Sequence, residues 1–185
     1  MGGQNGAMQW PWQHDRDDDL IADLARSLDE SPNAVARRTL ASASGSEDAV
    51  VALREAVAVR RPDSGWRVLQ WPEVRSGAWD GETNRLTITT LDGNTLGLHV
   101  DDPGRLPGVF FERVQATILV EERVRVPGGE VLVSGRRQPA GVVTGSEDAA
   151  VVWHAMAIGP VDLNDPVVSR LVLAATERLR ADYEL

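Results

Sequence analysis

Apolar residues recur at helical spacing near the two ends of the chain, and between them they alternate with polar residues or crowd into short runs. Near the N-terminus, "DRDDDLIADLARSLDE" sets Leu20, Ile21, Leu24 and Leu28 on one helical face. This predicts a helix from Asp15 to about Glu30, with acids in its first turn where the helix dipole favours them. "SPNAVARR" follows and predicts a short second helix, with Ser31 as the cap and Pro32 at a first helical position. From Arg38 the rhythm changes to "TLASAS", "AVVAL", "AVAVR", "WRVLQWPEVRSGAWD", "RLTITTLD" and "TLGLHV", parted by the turn-forming "GSED", "RPDSG", "DGETN" and "DGN". An antiparallel meander is the expectation. "AVVALREAVAVRR" also fits helical spacing, but its apolar residues form two Val-rich runs separated by Arg54-Glu55, which favours a hairpin.

After "DDPGRLPG", Phe110, Val114 and Ile118 fall at helical spacing and predict a helix from about Pro107 to Thr117. "ILVEERVRV", "PGG" and "EVLVSGRR" read as a hairpin, and "AAVVWHAMAI" as a buried strand. The last element is a helix capped by Asp165 and opened by Pro166, with Val168, Leu171, Val172, Ala175 and Leu179 as its apolar stripe. The sum is an α+β protein: N-terminal helices, an antiparallel sheet or partial barrel, a middle helix, and a C-terminal amphipathic helix over the sheet. Residues 1–14, Gly- and Gln-rich, read as a flexible tail carrying Trp10 and Trp12, and residues 15–185 as a single domain.

Composition narrows the function. The chain of 185 residues has no cysteine, which removes disulfides, thiolate metal sites and cysteine nucleophiles. Its net charge of −9 opposes nucleic acid. All 19 basic residues are arginine, as expected of a GC-rich coding sequence, so pairs such as Arg60-Arg61 and Arg136-Arg137 carry little functional information by themselves. The longest charge-free apolar run, "AAVVWHAMAIGPV", is too short to span a membrane, and the N-terminus lacks a signal-peptide pattern. A cytoplasmic protein is expected, and the acidic "DRDDD" opposes contact with anionic lipid.

"GSEDA" occurs twice, at 45–49 and 145–149, each time before an apolar run. Nothing flanking the two copies is alike beyond that, and Gly, Ser and Asp are turn formers, so the repetition reads as one turn chemistry used twice.

Three stretches, "LQWPEVRSGAWDGETNRLTIT", "LPGVFFERVQATILVEERVRVPGGEVLVSGRR" and "VDLNDP", together resemble a family of short proteins from high-GC actinobacteria. The "WPEV…WD…LTI" piece is also similar to bacterial pleckstrin-homology-like (PH-like) and GRAM-like barrels. The resemblance covers about Thr39 to Leu185 and implies a fold without a mechanism. The chain departs from the PH pattern in two ways: elements continue beyond the closing helix, and the early loop, basic where such barrels hold phosphoinositides, is the acidic "GSED".

Candidate chemistry is sparse. There is no Gly-x-Ser-x-Gly elbow and no phosphate-binding glycine loop. Glu121 and Glu122 alternate sides of a strand, so they cannot act as a facing pair, and a solvated edge accounts for them. His99, Asp101 and Asp102 could ligate a metal, but Asp101 and Asp102 precede Pro103 and a helix, where carboxylates satisfy backbone amides, and no second histidine lies nearby. His154, in the most apolar strand, reads as a core or barrel-facing histidine sooner than as a general base. Trp66, Trp71, Trp79 and Trp153 read as core. Trp10 and Trp12, flanking a proline, resemble aromatic anchors for a partner protein, or could fold back on their own domain. The expected function is therefore a non-catalytic binding or adaptor protein that engages another protein, without a cofactor and without assigned catalytic residues. Two alternatives stand beside it: a small metal-assisted hydrolase using His99, Asp101 and Asp102, with His154 as a further candidate, and a small-ligand barrel with Trp71, Trp79, Trp153 and His154 around a pocket. Unpaired strand edges would permit a homo-oligomer, but nothing in the sequence selects one.

Overall fold

The computed structural model describes residues 11–139 and 151–183, with side chains from residue 17 onward. Trp10 and the second "GSEDA" lie outside the described residues.

Helix α1 runs Pro11–Leu28, starting four residues before the predicted Asp15. Pro11, with its preset φ, opens it, so the acids at 15–19 fall beyond the first turn and do not meet the dipole as expected. The helix stops where Asp29 turns left-handed (φ 55°) and the Glu30 N–H bonds back to the Ala25 carbonyl at 2.9 Å. Helix α2, Pro32–Arg38, has the predicted cap, with Ser31 Oγ accepting from the Ala34 N–H at 3.3 Å.

The next seven strands form two antiparallel meanders. β1 (Thr39–Ser44), β2 (Ala49–Leu53), β3 (Ala56–Arg61) and β4 (Gly65–Gln70) pair in that order. β5 (Val74–Asp80), β6 (Arg85–Thr90) and β7 (Thr95–His99) form a second sheet. Between them the stretch expected as one bent strand is broken by a 3-10 turn, Trp71–Glu73, because Pro72 cannot supply a ladder N–H. β2 is buried along its whole length because it is covered on both faces. Ala49, Val51 and Leu53 meet Leu24 and Val35 of the helices, whereas Val50 and Ala52 enter the main core with the second sheet. That double burial is why "AVVAL" does not alternate.

Helix α3, Leu106–Thr117, packs on β5 through Phe110. Its close approach depends on Gly77, where an added Cβ would collide with the Phe110 ring. Trp71 is fully buried, 5.2 Å from Phe110 in an edge-to-face contact, and its indole N–H donates to the Leu53 carbonyl at 2.9 Å. The first "GSED" turn ties the two sheets together. Gly45 N–H bonds to the Asp48 carbonyl at 2.9 Å, and Asp48 Oδ2 accepts from the His99 N–H at 2.8 Å. A side chain at Gly45 would strike the His99 carbonyl.

A third sheet, ordered β10-β9-β8, comprises β8 (Ile118–Val126), β9 (Gly129–Arg136) and β10 (Val152–Ile158). Helix α4, Pro166–Tyr183, covers one of its faces. Asp165 caps this helix as predicted, accepting from the Val167 and Val168 N–H groups at 2.7 and 3.2 Å. Val168, Ala175 and Leu179 are buried, while Leu171, expected in the stripe, is exposed. The chain is thus α+β, with three separate antiparallel sheets among the described residues and no closed barrel. No described helix is long and apolar enough to cross a membrane.

Candidate functional site

Strict alternation on β9 builds the site. Val131 and Val133 point to α4, and the intervening Leu132, Ser134 and Arg136 point the other way. Register extends this division across the sheet: Ser134 lies between Glu121 on β8 and His154 on β10, and Leu132 lies beside Met156. The face away from α4 is turned toward the end of α3 and the β6–β7 turn, and the space between is a cavity of about 200 Å³. Leu91, Val114, Ile118, Leu132 and Met156 form its apolar wall; Arg75, Glu121, Ser134, Arg136 and His154 supply polar groups. A second hollow of about 260 Å³ shares Leu91 and His154 with the first and is rimmed by Arg67, Glu73, Asp92 and Val152.

The far wall is held by short-range bonds. The Leu91 N–H donates to the Glu73 carbonyl at 2.9 Å, tying the β6–β7 turn to the 3-10 turn. Within that turn Thr90 Oγ1 and the Asn94 amide donate to the Asp92 carboxylate, the amide at 2.6 Å. The Thr90 hydroxyl, first, and the Asn94 N–H hold the Asp92 carboxyl below its usual range.

Arg136 is the most unusual group here. It is 4% exposed, and its guanidinium donates to the Val74 carbonyl at 3.0 Å, to Thr117 Oγ1 at 3.5 Å and to Glu121 at 3.4 Å. Its Nε–H has no partner. A buried cation with one good bond, two long ones and an idle donor is undersatisfied. Burial, and after it the charge of nearby Arg75, lowers its pKa, with Glu121 acting against them, yet a guanidinium stays charged. Arg75 is exposed and has no ion-pair partner among the described residues.

His154 is half-buried, and its pKa lies below the usual histidine value, chiefly through burial and then through the charge of Arg136; Asp92 opposes the shift. Ser134 and His154 are cross-strand neighbours, yet no side-chain hydrogen bond joins them among the described residues. Arg136 also disfavours the imidazolium that a general base must form.

The residues singled out in the sequence scatter. Trp71 is locked in the main core and Trp79 packs at that core's edge. Trp153 faces α4, with Arg180 over its ring at 5.8 Å. Only His154 of the four lines the cavity, because Trp153 and His154 are consecutive on a strand and must point to opposite faces. His99, Asp101 and Asp102 are exposed, Asp102 accepts from the Gly104 N–H at 2.8 Å, and no described cluster of three His, Cys, Asp or Glu residues could hold a metal. Trp12 lies in the first turn of α1. One expectation is corrected: β10 is half-buried on both faces instead of buried, because it is an edge strand of its sheet. Glu121 and Glu122 lie on the other edge strand, accessible to solvent as expected, where they pair with Arg136 and Arg178.

No protein-family model, curated protein or solved structure matches the chain.

Proposed function

We propose that the protein is a non-catalytic binding protein that takes its ligand in the cleft between its second and third sheets. In this reading the seven strands of the first two sheets and α3 are a PH-like body, and β8–β10 with α4 are an added unit that supplies one wall of the site. The observation that carries the proposal is the pair of adjoining cavities meeting at His154 and Leu91, with an apolar wall and a few convergent polar groups, the lining typical of a ligand pocket. The absence of an assembled nucleophile and base there, among the described residues, favours binding over catalysis.

A thermal-shift screen of small fragments tests the reading, run on the wild type and on Met156→Trp, whose indole would fill the cavity. Fragments that stabilise the wild type should leave the filled variant unmoved. Equal response of both proteins, or no response from either, overturns the cleft as the site.

A further inference from the structure

The cavity has a charge imbalance that specifies what it takes. Two guanidinium groups, Arg75 and Arg136, line it against one carboxylate, Glu121, beside His154, whose pKa burial and then Arg136 lower. Within this first hollow the surplus is one positive charge, in a chain whose net charge is −9. The adjoining hollow beyond His154 adds Arg67 against Glu73 and Asp92, so an anion is favoured on the Arg136 side alone. Elsewhere, the described arginines that approach a carboxylate do so at the surface or tie elements together, as Arg60 ties β3 to Asp23 of α1 at 2.7 Å. Arg136 is different: it is nine-tenths buried, its nearest carboxylate is 3.4 Å away and partly exposed, and its Nε–H is unused. Leaving a buried donor unpaired costs roughly 1–3 kcal/mol, and more for a charged group. The Arg136 Nε–H is sealed in the protein, so what a ligand in the cavity meets is the positive charge of the guanidinium groups of Arg136 and Arg75, which Glu121 offsets only in part.

We infer that the cavity binds the carboxylate group of a small aliphatic acid, with Arg136 and Arg75 as its anchors, Ser134 and His154 beside it, and the alkyl portion against Leu91, Val114, Ile118, Leu132 and Met156. The inference rests on the cleft being the ligand site and adds the ligand's chemistry. A single negative charge matches the surplus. A phosphate monoester, carrying about −1.5 to −2 near neutral pH, would overshoot it and meet Glu121 with a repulsive excess. Arginine's planar fork suits a carboxylate's two oxygens. The apolar half of the wall accounts for a carbon chain as opposed to a bare inorganic anion. Each hollow is smaller than the roughly 300 Å³ at which drug-sized pockets begin, so the acid is short.

Titration calorimetry on the full chain near neutral pH, with hexanoate, hexanamide, hexyl phosphate and a short peptide acid as the probes, tests this. Hexanoate should bind, and hexanamide, with the same shape and no charge, should bind at least about tenfold more weakly, as expected for loss of a charge-assisted bond. Arg75→Gln, a change at an exposed side chain that the fold does not need, should weaken hexanoate at least about fivefold and leave hexanamide unchanged. Hexanamide binding as well as hexanoate overturns the carboxylate assignment while leaving the cleft as a site. Tighter binding of hexyl phosphate overturns it in favour of phosphate, and tighter binding of the peptide acid overturns the free acid in favour of a chain terminus. If none of the four binds, the cleft itself falls as the ligand site.

Discussion

Trp71 and His154 show how differently two residues of similar sequence context are used. Trp71 fills the main core and satisfies the Leu53 carbonyl, so Trp71→Phe keeps the aromatic contact with Phe110 but leaves a buried carbonyl unpaired beside a small void. A loss of about 2–3 kcal/mol is expected in urea denaturation. Trp66→Phe, at a half-buried site where the indole bonds to Asp23 at 2.9 Å, should lose nearer 1 kcal/mol. His154 is the pH-sensitive group. It is faced by Arg136 on β9, Arg75 on β5, Glu121 on β8 and Asp92 in the β6–β7 turn, with Arg67 and Glu73 at the rim. Its folded pKa lies below the ordinary 6.5, so the folded state binds its proton less readily than the unfolded state. Its contribution to stability is full above 6.5 and is lost as pH falls through the lower folded value. Melting temperature followed from about pH 8 to pH 5 should decline in the wild type and decline less in His154→Gln; parallel curves would refute the assignment. The sequence reading of Trp71 as core holds, whereas the setting of His154 at a cleft was not legible in its apolar strand. Alternation alone shows that Trp153 and His154 face opposite ways, but not which face opens on a cleft.

At the level of elements the sequence was far more transparent, because turn chemistry and caps are local. The hairpin over 49–61, both N-terminal helices, α3, the β8–β9 hairpin and the cap of α4 all follow from nearby residues. Asp165→Ala should destabilise the protein by about 1 kcal/mol in chemical denaturation, the usual cost of an N-cap whose side chain holds two backbone N–H groups. No change would mean that α4 is fixed by its packing on Val131 and Val133 alone. Where the reading failed, the missing information was non-local. Pro72 breaks the strand locally, but the chain's course after it is fixed by Trp71 reaching Leu53 across the core. The half-exposure of β10 follows from its place at the edge of the sheet, set by its pairing with β9. Arg136 carried a faint signal, since it shares a face with Leu132 and Ser134 inside an apolar strand. An arginine in phase with apolar residues is a candidate for burial, but its partner at Val74 is 62 residues away.

Across the whole molecule, Arg136 joins the third sheet to the second through the Val74 carbonyl, helped by Gln138 donating to Gln70 of the first sheet at 2.7 Å. If this arginine is retained for ligand binding and not for stability, replacing it by an apolar side chain of similar length should cost little. Arg136→Met is expected to stay within about 1 kcal/mol of the wild type in denaturation and to lose binding of hexanoate, because an underpaired buried cation repays little of its desolvation. A loss above about 3 kcal/mol would make Arg136 a structural joint instead. The most direct measurement of the central claim is a titration of isotopically labelled protein with hexanoate, followed by backbone nuclear magnetic resonance. Saturable shifts gathered at Leu91, Ser134, Arg136 and His154 are the outcome expected of a carboxylate-binding cleft. Shifts gathered instead on the exposed apolar residues of α4, or no saturable shifts at all, would contradict it.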